Sequence, residues 1–169
     1  MNTMDALLTR RSVRRYEDRP VPEEVVRDML VAAMHAPSAD NEQPWQFVVI
    51  DDRRLLDAIP GLHPWAQMAA RAPMAILVCG DQRFVQDPGF WAQDCAAATQ
   101  NLMLAAWDRG VGSVWCGVHS EASLEEAFRR LLRLPEHVTP FALVVLGYPA
   151  ATPRAVDRYQ QDRVHRNGW

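Results

Sequence analysis

Two short runs, Met74–Cys79 and Phe141–Gly147, are apolar from end to end. A strand with one wet face alternates apolar and polar residues; these two do not, so both of their faces must be covered. Such strands force a layered fold, a sheet with helices above and below it. Further strands read at Trp45–Ile50 and at Gly112–Gly117. The helical stretches fall between them. One spans about Thr3 to Thr9. A second begins at Pro22, carries Glu23 and Glu24 in its first turn, and buries Val25, Val26, Met29, Leu30 and Ala33. Pro37 is expected to end it. A helical pair broken at Pro60-Gly61 follows the first strand. The longest helix, about Pro88 to Arg109, closes on Gly110. Ser123 with Glu126 predicts a capping box for a helix through Leu132. The pattern leaves strand order open.

The length of 169 residues suits one domain. That domain is placed at residues 1–149. Residues 150–169 are polar, arginine-rich and without period, so they read as an extended tail. The tail still carries Tyr159 and Trp169, and is expected to pack on something. The long helix is apolar or small nearly all round, through Ala92, Cys95–Ala98 and Leu102–Trp107. A small domain cannot cover such a helix by itself, which points to a subunit interface.

Charge and residue type exclude several functions. The net charge is −3, which argues against a nucleic-acid surface. All 18 basic residues are arginine. Without lysine there is no Schiff-base nucleophile and no P-loop cation. Cys79, Cys95 and Cys116 are an odd number in apolar settings and read as reduced, buried thiols. No apolar signal core and no bilayer-length apolar stretch is present, so a cytoplasmic protein with no membrane partner is expected.

Four segments could carry chemistry. The first is Arg10-Arg11-Ser12-Val13-Arg14-Arg15-Tyr16, a cationic fork with a hydroxyl, suited to a phosphate. Arg10 and Arg14 would converge if the turn stayed helical. A solvated basic turn is the plain alternative, and Arg15 is best explained that way. The second is the loop Ala36-Pro37-Ser38-Ala39-Asp40-Asn41-Glu42-Gln43-Pro44-Trp45. Asn41 and Gln43 both donate and accept, as reading a heteroaromatic edge requires, although a polar loop with proline stops looks the same. The third is Gly110 to Gly117, where glycine lets backbone approach a ligand closely or simply turns into an edge strand. It lacks the spacing of a dinucleotide-binding loop. The fourth is Asp157-Arg158-Tyr159 with Arg163 and His165, a second source of cations. No metal site is expected, because the Cys116–His119 spacing has no second pair. The five histidines are scattered, and no nucleophile elbow occurs.

Arg-Arg-Ser-Val-Arg-x-Tyr, then Pro-Ser-x-x-Asn-x-Gln-Pro-Trp, an apolar helix ending Gly-x-Gly-Ser-x-Trp, and a late Gly-Tyr-Pro with Asp-Arg-Tyr together resemble the nitroreductase family. The resemblance covers essentially the whole chain and is similar to the compact members. It implies an α+β fold, a three-layer α/β/α sandwich on a mixed, largely antiparallel sheet. It also implies a homodimer with FMN at the subunit interface and the tail packed on the dimer. Arg10, Arg11, Ser12 and Arg14 would then hold FMN from one subunit, Arg10 toward the phosphate and Arg14 toward the pyrimidine edge. Pro37, Ser38, Ala39, Asn41 and Gln43 would come from the other subunit. Trp115, Cys116 and Gly117 would lie along the flavin ring, and Arg158 would complete the phosphate clamp, with Arg163 the competing choice.

The implied activity is hydride transfer from NADH or NADPH to a small aromatic, quinone or nitro acceptor by ping-pong turnover. No side-chain acid or base is then required. Segments His63–Met68 and Phe84–Trp91, with His119, are the expected acceptor pocket. A flavoprotein of the same fold with another reaction, such as reductive dehalogenation or flavin destruction, stays open. So does a flavin-binding sensor without turnover. Many relatives place Ser or Thr where Ala39 or Asp40 stands, and a lysine among the flavin contacts.

Overall fold

The computed structural model describes residues 1–151, 153–154 and 156–169. Its regular elements are α1 (Thr3–Thr9), α2 (Glu23–Met34), β1 (Trp45–Ile50), α3 (Arg53–Leu62), β2 (Met74–Asp81), α4 (Trp91–Asp108), β3 (Gly112–Gly117), α5 (Ala122–Leu132) and β4 (Val138–Gly147). The strands form one sheet in the order β1-β2-β4-β3, and each neighbouring pair is antiparallel. A single parallel bridge, Ser12 to Ser113, adds the N-terminal segment to the β3 edge.

Every residue of β2 is buried. Side chains alternate across a strand, so β2 feeds two cores. Ile76 and Val78 join Met29, Leu102, Val144 and Leu146 beneath α2 and α4. Ala75, Leu77 and Cys79 join Ile50, Leu56, Ile59, Leu143, Val145 and Phe128 beneath α3 and α5. The result is the three-layer α/β/α arrangement that two fully apolar strands demand. Each large side chain removed from water here contributes about 1.5–3 kcal/mol.

Local chemistry sets the element ends, and several differ from expectation. Helix α2 stops at Met34, before Pro37, with His35 and Ala36 closing the last turn on Ala32 and Ala33 carbonyls. Pro60 lies inside α3 and does not break it. In the last turn a proline removes only one ladder bond, and the break falls instead at His63–Ala66. Helix α4 starts at Trp91 because Asp87 Oδ1 holds the Gly89 N–H at 2.9 Å in a turn. It ends as expected at Gly110, whose φ is +75°. The Val111 N–H there reaches back to the Ala106 carbonyl at 2.8 Å. The Ser123–Glu126 box does not form. Helix α5 begins at Ala122, and Glu125 Oε1 takes the Ser120 N–H at 3.0 Å. Tyr159 and Trp169 are exposed in the single chain, so the tail finds no aromatic seat on its own domain.

Candidate functional site

Beyond α1 the arginine segment is extended, not helical. The Val13 N–H donates to the Ser113 carbonyl at 2.9 Å, and Tyr16 bridges Pro149. Two glycines make room for it. A Cβ on Gly112 would lie 2.7 Å from Val13, and one on Gly147 would lie 2.9 Å from the Tyr16 ring. The Tyr16 hydroxyl is fixed 2.7 Å from the Val13 carbonyl and 3.2 Å from that of Val145. Burial, ahead of the opposing charge of Arg14, pushes this phenol well above its ordinary pKa. An extended path separates Arg10 from Arg14 by roughly 13 Å of chain. The two therefore do not converge, contrary to the helical expectation, because pairing with β3 overrides it.

Each arginine has a different setting. Burial, then the charge of Arg11, then that of Arg158, lower the Arg10 guanidinium from its ordinary pKa. The charges of Arg11 and Arg158 thus both reach Arg10 at the end of α1. Arg10 Nη1 and Arg11 Nε are buried with no hydrogen-bond partner among the described residues, and so is Ser113 Oγ. Arg11 is partly committed elsewhere. Its Nη1 donates to the Arg10 carbonyl at 2.7 Å and its Nη2 to the Val156 carbonyl at 3.0 Å. It thereby ties the tail down and brings Arg158 within range of Arg10. Arg163, in a short 3-10 turn at Gln161–Arg163, is exposed and does not act on Arg10. Ser12 and Arg14 are exposed, and the charge of Arg14 acts on Cys116.

Strand β3 presents the matching surface. Ser113 turns its carbonyl outward to Val13, so by alternation Trp115 also turns its backbone N–H to the open edge. The Trp115 ring packs edge-on to Phe141 at 5.6 Å. Cys116 points to the opposite face, and its thiol is pushed up to about 11, mainly by burial. Gly117 is exposed, and nothing lies within 4 Å of where its Cβ would be. His63 Nε2 donates to the Gly117 carbonyl at 2.8 Å while Nδ1 accepts from the Trp65 N–H at 3.3 Å. His63 is buried, so it braces the strand and does not line an acceptor pocket. Trp65 beside it is 79% exposed. Trp91 is buried against His119, whose Nδ1 lies 2.8 Å from Glu125 Oε1, whereas Phe84 and Phe90 are exposed.

The loop from Pro37 to Gln43 is strained and pinned. Asp40, Asn41 and Gln43 have φ of +47°, +57° and +49°. Asp and Asn tolerate this region; Gln does so at a cost of about 1–3 kcal/mol. Ser38 Oγ accepts from the Gln43 N–H at 3.1 Å, and Gln43 Nε2 donates to Asn41 Oδ1 at 2.9 Å. The Ala39 N–H donates to Asp94 Oδ1 at 3.0 Å. Buried Glu42 accepts from the Gln86 and Asp87 N–H groups at 2.9 and 3.2 Å. Glu42 and Asp94 are supports to which the sequence assigns no role, and His63 is a support where the sequence suggests a pocket residue. The one available signal was Asp94, an acid inside an otherwise apolar helix.

One chain does not bring the two halves together. The loop enters the sheet at Trp45 on the β1 edge, opposite Gly80, which pairs with Thr139. The arginine segment joins the β3 edge at Ser113, opposite Leu146. Three strand spacings and seven residues place these corners about 14 Å apart across the sheet and about 20 Å along it. Pro37, Ser38, Ala39, Asn41 and Gln43 therefore sit diagonally opposite Arg10, Arg11, Ser12, Arg14 and Arg158. Trp115 and Cys116 stay with the arginines.

The family model described as Nitroreductase family matches residues 7–148. A protein of Methanothermobacter thermautotrophicus, named "Putative NADH dehydrogenase/NAD(P)H nitroreductase", is 47% identical over 169 residues, which is 100% of this chain and 88% of that one. A crystal structure of a protein of the same description from Parabacteroides distasonis superposes with a TM-score of 0.95 at 39% identity, over 100% of both chains. A "putative nitroreductase in complex with FMN" from Desulfovibrio desulfuricans superposes with a TM-score of 0.86 at 30% identity, over 100% of this chain and 99% of that one. Layered sheet, arginine segment and strained loop fall within those alignments, and the chain belongs to the nitroreductase family.

Proposed function

We propose that this chain is an FMN-dependent NAD(P)H oxidoreductase that acts as a homodimer, with each flavin held between two chains. The observation that carries the reading is the buried Nη1 of Arg10, which has no partner among the described residues and feels the charges of Arg11 and Arg158. An anion completes such a group, and the FMN-bound relative from Desulfovibrio desulfuricans offers a phosphate of the right kind. When bound, FMN supplies the two-electron chemistry that the side chains here lack.

The chain's own residues divide the work. Arg10 and Arg158 would hold the phosphate, with Arg11 and Ser12 between. Arg14 would set a permanent positive charge beside Trp115 and Cys116, a preorganised stabiliser of negative charge at the ring. Trp115 offers an outward backbone N–H, and exposed Gly117 leaves the approach open. The Cys116 thiol, pushed up to about 11, stays protonated at neutral pH and is no nucleophile. Pro37, Ser38, Ala39, Asn41 and Gln43 of a second chain would supply the other wall, since in one chain they lie at the far corner.

The dimer has a suitable face. Met4, Leu7, Leu8, Val31 and Met34 are exposed on α1 and α2, and a groove of about 420 Å³ runs between α1, α2 and α4. Exposed apolar area of this kind marks an interface. Donor and acceptor would use the same space in turn, with Trp65 as an apolar wall for a small aromatic, quinone or nitro acceptor. No helix among the described residues is long and apolar enough to cross a membrane.

An absorption spectrum of the purified protein tests the reading. Bound-flavin peaks should bleach with NADH or NADPH under anaerobic conditions and return with a quinone or nitroaromatic. Light scattering should give twice the chain mass. A colourless protein that takes up no FMN, or a flavin-bound monomer, refutes it.

A further inference from the structure

A cavity of about 740 Å³ opens between Arg14–Tyr16 and the stretch from Pro60 to Arg71. Its charged lining is Arg14, Arg15 and Arg71, with no acidic side chain among the lining residues. None of the three forms an ion pair with any described residue. The contrast within the chain is sharp: Arg53, Arg54, Arg83, Arg109 and Arg130 each meet a carboxylate. Around this hollow the chain collects three arginines that meet none. Pro60, Met68 and Tyr16 give the hollow apolar surface, and the hydroxyl of Tyr16 is already taken up by backbone carbonyls. The volume suits a small-molecule fragment and exceeds what a lone inorganic anion needs.

Arg14 links the cavity to the flavin-side strand. Arg14 lines it and acts on Cys116. A ligand whose reactive end lies on the Trp115–Gly117 edge would carry its far end past Arg14 to Arg15 and Arg71. We propose that this cavity seats the adenosine 2′-phosphate of NADPH, and that Arg15 and Arg71 make NADPH the preferred donor over NADH. The proposal rests on the oxidoreductase reading above and names its donor. A phosphate monoester carries close to two negative charges at neutral pH, and guanidinium groups bind it bidentately. NADH has a hydroxyl at that position and offers these arginines no charge.

The test compares Arg15→Gln, Arg71→Gln and the double variant with the unsubstituted holoenzyme. Each single substitution should lower kcat/KM for NADPH about tenfold, with NADH changed less than twofold and flavin content unchanged. Equal losses for both donors, or no loss for either, would overturn the proposal. Loss of flavin in the variants would overturn it as well, since the cavity would then belong to the cofactor. A calorimetric titration is independent of turnover. Adenosine 2′,5′-bisphosphate should bind the unsubstituted protein at least tenfold more tightly than 5′-AMP, and the double variant should lose that difference. Equal affinity for the two nucleotides sinks the proposal even if the protein oxidises both donors, and a colourless protein that still discriminates them sinks only the redox reading.

Discussion

Arg10→Met should raise the stability of the flavin-free protein while weakening its hold on FMN. In the free protein Arg10 sets a partly desolvated cation against the charges of Arg11 and Arg158, and its Nη1 is buried without a partner among the described residues. An orphaned polar atom of this kind costs about 1–3 kcal/mol, more when charged. Arg10 keeps part of its surface in water, and solvent screening brings the expected gain down to about 1 kcal/mol. Methionine keeps the apolar stem and removes the charge. The same substitution deletes a charge-assisted contact to phosphate worth about 1.5–3 kcal/mol, so the Kd for FMN should rise about tenfold to a hundredfold. Two measurements at one fixed protein concentration settle the matter: urea denaturation of the flavin-free protein, and quenching of FMN fluorescence on titration. If the variant is less stable without flavin and binds FMN as before, Arg10 is a piece of the fold and the phosphate assignment fails.

Gly112→Ala should destabilise the protein by about 1–3 kcal/mol, because the new methyl would lie 2.7 Å from Val13 and must push the arginine segment off β3; a lowered Tm accompanied by weaker FMN uptake checks it, and unchanged values refute it. Arg14→Ala should keep the fold and slow reduction of the holoenzyme by about tenfold or more, read by anaerobic stopped flow. Stability should fall in alkali. Burial holds the Cys116 and Cys79 thiols up near 11 and 12 in the folded state, against 9.0 for an unburied thiol. A raised folded pKa stabilises fully below the unfolded value and is lost as pH climbs through the folded one. Urea midpoints should therefore hold level to about pH 8.5 and drop between roughly pH 9 and 12.

The sequence made some levels of this structure readable and hid others, for physical reasons. Helix α1 and strands β1 and β3 lie where proline, glycine and apolar runs bound them. β2 runs on to Asp81 although its polar end carries no strand signal, because pairing with β1 and β4 carries it there. Strand order depends on long-range pairing, which periodicity does not encode. Within the site, the arginine run was legible as charge. Its extended path was not, since the cause is the space that Gly112 and Gly147 leave beside distant strands. Glu42 was illegible as a pin, and Asp94 showed only as an acid inside an apolar helix, for a related reason: a carboxylate becomes a loop support only once the fold has buried it next to orphan N–H groups.

The diagonal placement of the two half-sites has a genetic consequence. In a two-fold dimer each site would draw its arginines from one chain and its strained loop from the other. A chain crippled at Arg10 and a chain crippled at Asn41 would each be inactive alone. Mixed together, they would form hybrid dimers in which one site collects both defects and the other collects none. Random exchange would then restore about a quarter of all sites. Two null alleles of such a gene would complement one another, a behaviour closed to any enzyme that builds its whole site from a single chain.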